Sequence, residues 1–141
     1  MKKSITIIIF ITIIIFSFSL WKNKPPQAPS QPAPVNDKPK IISTKPDPLE
    51  ETIIAADQII EISFNHPLEN VPELKLKIEP KLDYKVELSG DKKTARIIPV
   101  SPYELGTTYT LFIMADSKFE GGARLTGEEV FHFRTIKYRG F

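Results

Sequence analysis

Apolar and polar side chains alternate with a period of two along most of the chain after residue 40. Successive side chains of a β-strand point to opposite faces, so this pattern predicts strands that each bury one face. Proline, glycine and aspartate separate the segments, and no long stretch shows the period of a helix. The pattern predicts an all-β fold, an antiparallel β-sandwich of about seven strands, at residues 41–44, 59–64, 74–78, 84–88, 94–98, 109–113 and 131–135.

The N-terminal segment has a different pattern. Residues 4–21 contain no charged side chain and are rich in isoleucine and phenylalanine. A helix of this length spans about 27 Å, close to the roughly 30 Å core of a bilayer. Trp21 lies where an interfacial aromatic residue belongs, and Lys22 and Lys24 follow it. We expect residues 1–21 to form an uncleaved signal anchor, a single transmembrane helix in membrane lipid. The remainder of the chain is then extracytoplasmic.

A cleaved secretory signal is the alternative interpretation of the same segment. Ser17 and Ser19 are small residues at the −3 and −1 positions of a cut before Leu20, and this cut would release a secreted protein. The apolar stretch is longer than the roughly 7 to 15 residues of most signal peptides, which favours the anchor.

Proline dominates the segment that follows. Eight of the 13 prolines lie within residues 25–48, and residues 22–39 contain almost no apolar side chain large enough to bury. This composition favours polyproline II, so we expect a Pro-rich linker at residues 22–39. A semi-rigid spacer and a disordered tether both fit it. The folded domain is then predicted at residues 40–136, with a short C-terminal tail at residues 137–141.

Length, charge and cysteine content narrow the function. About a hundred residues remain after the linker, too few for a TIM barrel or a two-domain dehydrogenase. The formal net charge of +2 hides an uneven distribution, because five lysines and one aspartate give residues 1–39 a charge of +4. The rest of the chain is mildly acidic and has no cluster of Lys and Arg, which argues against nucleic-acid binding. The absence of cysteine excludes disulfides, thiolate metal sites and a cysteine nucleophile.

Candidate chemistry in the sequence is sparse. The histidines, His66 and His132, lack the spacing of zinc ligands. No phosphate-binding loop or nucleophile motif occurs. We predict no enzyme activity, no catalytic residue, no cofactor and no metal site, while calcium binding by residues 116–120 stays open. Four acidic side chains near the last loop offer oxygen ligands but lack a regular Asp-x-Asp spacing: Asp116, Glu120, Glu128 and Glu129.

One group of residues has a more specific structural meaning. Leu105, Gly106 and Tyr109 open the strand that follows a Pro-rich loop. In β-sandwiches a tyrosine at this place folds back, and its hydroxyl bonds to backbone a few residues upstream to form a tyrosine corner. The glycine permits the turn. The alternative is that Tyr109 is simply a buried strand tyrosine.

Apolar residues also occur on the expected outer faces of the strands. If the inner-facing side chains pack in the core, three apolar side chains face outward: Ile59, Ile98 and Phe112. They form either a docking patch or ordinary surface positions. A short additional strand at residues 53–56 would cover them.

Five short motifs occur in a fixed order along the predicted strands. They are Pro39-x-Ile41-x-Ser43-x-x-Pro46, Ile60-x-Ile62-x-Phe64-x-x-Pro67-Leu68, Asp91-x-x-Thr94-x-x-Ile97-x-Pro99, Leu105-Gly106-Thr107-Thr108-Tyr109-Thr110-Leu111 and Phe131-x-Phe133-x-Thr135. Together they resemble the bacterial Ig-like domains of surface-layer proteins, the SbsA-type or fifth bacterial Ig-like family. The similarity covers residues 38–136.

The resemblance implies a seven-stranded Ig-like sandwich that serves as a spacer or adhesive module. The loop at residues 116–122 departs from the family, because it is longer and lacks the Asn of the Asp-x-x-Gly-Asn pattern. We expect a non-catalytic cell-envelope protein that presents a structural or adhesive interaction module on its anchored stalk. Its partner is an unidentified protein or the cell wall. The alternatives are an accessory subunit docking on a membrane secretion or transport complex, and a ligand-binding sensor domain.

Overall fold

A computed structural model describes residues 37–137. These residues form eight β-strands and two short 3₁₀ turns, Val71–Glu73 and Glu120–Gly122. The strands are β1 (Ile41–Lys45), β2 (Thr52–Ile54), β3 (Ile60–Phe64), β4 (Leu76–Glu79), β5 (Tyr84–Leu88), β6 (Thr94–Pro99), β7 (Thr108–Ile113) and β8 (Glu129–Thr135).

The strands form two four-stranded sheets around one apolar core. The first sheet has the order β1-β3-β6-β5 and the second has the order β2-β8-β7-β4. All neighbouring strands are antiparallel except β2 and β8, which are parallel. The predicted all-β sandwich is therefore confirmed, but the described residues contain eight strands rather than about seven, and one pair is not antiparallel.

The alternation of side chains explains the core. In β3, Ile60, Ile62 and Phe64 are fully buried, whereas Glu61 and Ser63 lie on the outer face. Burial of one such apolar side chain contributes about 1.5–3 kcal/mol. Side chains from both sheets share this layer, and so do residues of the connecting loops: Leu49, Leu68, Leu74, Tyr103, Phe119 and Leu125.

Strand β2 lies at Thr52–Ile54, whereas the sequence offered only a possible short strand at residues 53–56. It has only three residues, too few for a period of two to stand out. Its register with β8 pairs Thr52 with Phe133 and Ile54 with Thr135. Ile54 therefore faces the core, whereas Ile53 is exposed. Because β2 extends the second sheet, it does not cover the outer face of the first.

Strand β4 begins two residues later than its alternation predicts. The 3₁₀ turn Val71–Glu73 precedes it, and the side chain of Asn70 caps this turn by accepting a hydrogen bond from the Glu73 N–H at 3.1 Å. Leu74 remains buried, so the inward face of the pattern is correct even where the backbone is not in the sheet.

A row of alternating charges crosses the outer face of the first sheet. Lys45 on β1, Glu61 on β3, Arg96 on β6 and Glu87 on β5 occupy matching register positions. The successive ion pairs span 3.3, 3.3 and 3.5 Å. Exposed pairs contribute little stability each. Their main consequence is that this part of the face is polar.

The chain reaches the sandwich beside the end of β3. The Asn65 side chain donates to the Lys38 carbonyl at 3.0 Å and accepts from the Lys40 N–H at 2.7 Å. The His66 ring nitrogen Nε2 lies 2.5 Å from the Asp37 carbonyl. Residues 37–40 are thus fastened to the loop after β3.

The chain leaves the sandwich at the other end. The Ile136 N–H donates to the Ile54 carbonyl at 3.0 Å, and the Gly106 N–H donates to the Ile136 carbonyl at 2.9 Å. Ile54 precedes the start of β3, whereas Asn65 follows its end. Because β3 runs the length of the sandwich, the two points of passage lie at opposite ends.

The predicted anchor at residues 1–21 lies outside the described residues, and so does most of the predicted linker at residues 22–39. Of the predicted tail at residues 137–141, the last four residues also lie outside the described residues. Within residues 37–137 no helix has the length and apolarity needed to cross a membrane.

Burial on one face only can be tested with two isoleucines. Ile62 on β3 is 0% exposed and Ile42 on β1 is 59% exposed. We expect Ile62→Ala to lower the free energy of unfolding by about 2–5 kcal/mol because it leaves a cavity. Ile42→Ala is the matched control and should change it by less than about 0.5 kcal/mol. Urea unfolding curves measure both, and equal losses would contradict the register.

Candidate functional site

Tyr109 and its neighbours hold the loop before β7. The Tyr109 side chain is buried on the inner face of β7, and its hydroxyl accepts a hydrogen bond from the Glu104 N–H at 2.9 Å. Gly106 has a φ of 69°, a left-handed conformation that favours glycine. Leu105 is exposed at the surface of the loop. The structure therefore places Gly106 in the loop that the Tyr109 hydroxyl holds from β7, with Leu105 exposed.

A buried threonine fixes the same loop from the other side. The Thr135 hydroxyl donates to the Glu104 carbonyl at 2.6 Å and accepts from the Thr107 N–H at 3.0 Å. Glu104 therefore has its N–H bound by one strand and its carbonyl by another. Thr135 belongs to the last of the five sequence motifs, but the sequence predicted no contact for it, because a threonine at the end of a strand carries no sign of its partner.

Tyr103 completes an aromatic cluster in this region. Its ring packs edge-on against Tyr109 and Phe133, with centroid distances of 5.1 and 5.8 Å. Its hydroxyl is buried and finds no hydrogen-bond partner within residues 37–137. Burial, together with the neighbouring Tyr109, raises the pKa of Tyr103 to about 12. The phenol therefore stays neutral at physiological pH.

The structure places the two histidines in separate environments. His66 lies in the loop after β3 and contacts the Asp37 backbone. His132 lies on the outer face of β8, where its ring Nδ1 is 3.0 Å from Glu50 Oε1. Within residues 37–137 no group of three His, Cys, Asp or Glu side chains is placed to hold a metal ion. The four acidic residues near the last loop are likewise not gathered into such a group, and Glu120 pairs with Lys92 at 2.9 Å.

Glu50 extends the pairing of β2 with β8. Its Oε2 accepts a hydrogen bond from the His132 backbone N–H at 2.6 Å, and the Glu51 N–H donates to the His132 carbonyl at 2.6 Å. A side-chain carboxylate thus takes the place that a backbone carbonyl would hold if β2 were longer. The hydrogen bond from the His132 N–H holds the pKa of Glu50 below its ordinary value of 4.5.

A small depression lies beside this contact, on the outer face of the second sheet. Its volume is about 130 Å³. A broad groove of about 750 Å³ runs along β4 and its following loop, over residues 77–81, and opens widely to solvent. The depression combines both signs of charge with the exposed Thr108 of β7, which makes it the candidate binding site. It is lined by Glu51, Thr52, Thr108, His132, Phe133 and Arg134.

In residues 37–137 no serine or threonine hydroxyl is hydrogen-bonded to a histidine ring, as an activated nucleophile requires. The outward apolar set of Ile59, Ile98 and Phe112 is half-buried. These side chains therefore do not form a fully exposed patch.

Comparison with family models identifies the domain. Residues 35–135 match the bacterial Ig-like domain, which is most of the chain. The chain belongs to the bacterial Ig-like domain family. The resemblance predicted from the five sequence motifs is therefore confirmed. No curated protein matches the sequence significantly.

Solved structures share the Ig-like fold at low sequence identity. Domains 1–6 of the surface-layer protein SbsC are 21% identical with a TM-score of 0.52, and the match covers 74% of this chain and 14% of that one. PcoC, a copper resistance protein from Escherichia coli, is 18% identical with a TM-score of 0.53, covering 68% of this chain and 98% of PcoC. This chain thus spans a small part of the surface-layer protein. Identities this low establish the fold alone.

We propose that Tyr109 acts as a tyrosine corner, and a pair of substitutions tests it. Tyr109→Phe leaves the Glu104 N–H without its acceptor, so we expect a loss of about 1–3 kcal/mol in the free energy of unfolding. Tyr103→Phe is the matched control, because it removes a buried hydroxyl that has no partner in the described residues. It should be neutral or stabilising. Urea unfolding would refute the role if both variants behaved alike.

The Glu50 contact predicts a dependence on acid. Because the folded-state pKa of Glu50 is lowered, its contribution is present above pH 4.5 and is lost as pH falls through the lowered value. We expect Glu50→Gln to reduce stability by less than about 1 kcal/mol at neutral pH. The difference from the natural chain should shrink below pH 4.5. Thermal unfolding against pH measures this, with Glu128→Gln as the control, and a difference that grows in acid would contradict it.

Proposed function

We propose that this chain is a non-catalytic structural or interaction module of the bacterial cell envelope. Residues 1–21 anchor it in the membrane, and the Pro-rich residues 22–39 hold the Ig-like domain away from the lipid on the extracytoplasmic side. Membership of the bacterial Ig-like family supports the module, and the apolar and Pro-rich composition supports the anchor and stalk.

The path of the chain is the observation that carries this proposal. Asn65 and His66 fasten residues 37–40 at one end of the sandwich, whereas Ile136 is bonded at the other. A domain crossed from end to end acts as an in-line spacer, since each copy adds its full length to a stalk or array. The SbsC surface-layer protein, which has several domains, shares this fold.

The surface and interior of the domain support an absence of catalysis. Its interior is filled by packed apolar side chains, and the first sheet presents a row of ion pairs outward. Bacterial Ig-like domains are in general non-catalytic. A sandwich with a packed interior and a polar outer face suits a structural role, in which the domain holds itself or a partner protein in position. It does not supply the enclosed site that a reaction needs.

Labelling in cells tests the location. The chain has no cysteine, so a single one can be introduced at a chosen place. Ser101 is exposed and Ser117 is fully buried. We expect a membrane-impermeant maleimide to label Ser101→Cys in intact cells when residues 1–21 are present. Deletion of residues 1–21 should confine labelling to lysed cells.

Two controls complete this experiment. Ser117→Cys should remain unlabelled in the folded chain, because its side chain lies in the interior. Fractionation should find the full chain with the membranes. Labelling of full-length Ser101→Cys only after lysis would place the domain in the cytoplasm and overturn the proposal.

A further inference from the structure

Two opposite charges face the depression on the second sheet without neutralising each other. Arg134 on β8 and Glu51 before β2 both line it. Neither side chain takes part in an ion pair within residues 37–137. The nearby His132 ring is engaged by Glu50, so it forms a fixed part of the wall. The depression therefore offers one free cation and one free anion among the described side chains.

The backbone of the turn fixes where Glu51 lies beside the depression. Glu51 has a φ of 56° and is the third residue of the turn from Leu49 to Thr52, which the Thr52 N–H closes on the Leu49 carbonyl at 3.3 Å. Glycine or asparagine is favoured at such a place. A glutamate there is strained, and two backbone hydrogen bonds hold it in place: the Thr52 N–H to the Leu49 carbonyl and the Glu51 N–H to the His132 carbonyl.

Lys92 provides a comparison for the side chain of Glu51. Among residues 37–137, Glu51 and Lys92 are the two residues other than glycine with a positive φ, and that of Lys92 is 57°. The Lys92 side chain has a structural partner, because it pairs with Glu120 at 2.9 Å. Within residues 37–137 the Glu51 carboxylate has no such partner. A ligand that bears a positive charge would supply one.

The side of the depression formed by Thr108 and Arg134 suits a negatively charged group of the same ligand. Thr108 on β7 lies directly opposite Arg134 in the register of β7 and β8. A guanidinium with a neighbouring hydroxyl is a good receptor for a carboxylate. The volume of about 130 Å³ accommodates only a few heavy atoms. The site thus selects a small molecule that carries an ammonium and a carboxylate close together.

We propose that this depression binds the zwitterionic end of a small α-amino acid. The ligand carboxylate lies on Arg134 and Thr108, and its ammonium lies on Glu51. The depression is open to solvent, so binding is weak, with a Kd on the order of 1 mM. This site is independent of the membrane location proposed above, because a misplaced domain would keep the same depression.

Titration of the full chain in detergent with alanine tests the site. Alanine should shift the backbone NMR signals of Glu51, Thr108 and Arg134 in a saturable manner. Propionate lacks the ammonium and ethylamine lacks the carboxylate. Because each loses one of the two contacts, each should bind at least about 10-fold more weakly than alanine.

Substitutions of Arg134 and Glu51 test whether each side chain contacts the bound alanine. Arg134→Gln and Glu51→Gln should each weaken alanine binding by at least about 10-fold. The matched controls, Arg96→Gln and Glu87→Gln, change the same residue types on the outer face of the other sheet and should leave the Kd unchanged.

Glycine variants separate binding from folding. Glu51→Gly should weaken alanine binding as much as Glu51→Gln does, while leaving the thermal unfolding midpoint unchanged or raised, because glycine accepts the positive φ. Lys92→Gly makes the same backbone change elsewhere and should keep the alanine Kd. The proposal is overturned if alanine gives no saturable shift, if propionate binds as well as alanine, or if Glu51→Gln and Arg134→Gln leave the Kd unchanged.

Discussion

Burial of alternate side chains between two sheets is the constraint on which the rest of the structure depends. Each strand must present one face to the shared apolar layer, so a shift of register by one residue would expose Ile62 and bury Glu61. This requirement fixes which side chains reach the outer faces. The ion-pair row on the first sheet and the charged depression on the second are both consequences of it.

The parallel contact of β2 with β8 forms one wall of the charged depression. A strand of three residues leaves part of β8 unpaired, and the Glu50 carboxylate completes the hydrogen bonding at His132. The turn that places Glu50 there also forces Glu51 into a positive φ beside Arg134. The same turn thus supplies the Glu50 contact that completes the sheet edge and places the Glu51 carboxylate at the depression.

Local signals in the sequence predicted most of the fold. Strand β5 alternates cleanly and was predicted at its observed bounds, and Tyr109 was singled out by the glycine and loop before it. Strand β2 is too short for any period. The contact of Glu50 with His132 joins residues 82 positions apart, so it depends on the final register of two strands. A single sequence contains no local pattern for such a pair, and the same holds for Glu51 with Arg134.

Amide hydrogen exchange of the full chain in detergent, read by NMR, tests the two-sheet architecture most directly. The Glu51 N–H donates to β8 and the Ile136 N–H donates to β2, so both depend on the parallel contact. The account predicts that these two amides exchange at least about 10-fold more slowly than the loop amide of Lys81, alongside the protected amides of β3 and β6. Free exchange at both Glu51 and Ile136, with β3 and β6 still protected, would contradict the pairing that closes the second sheet.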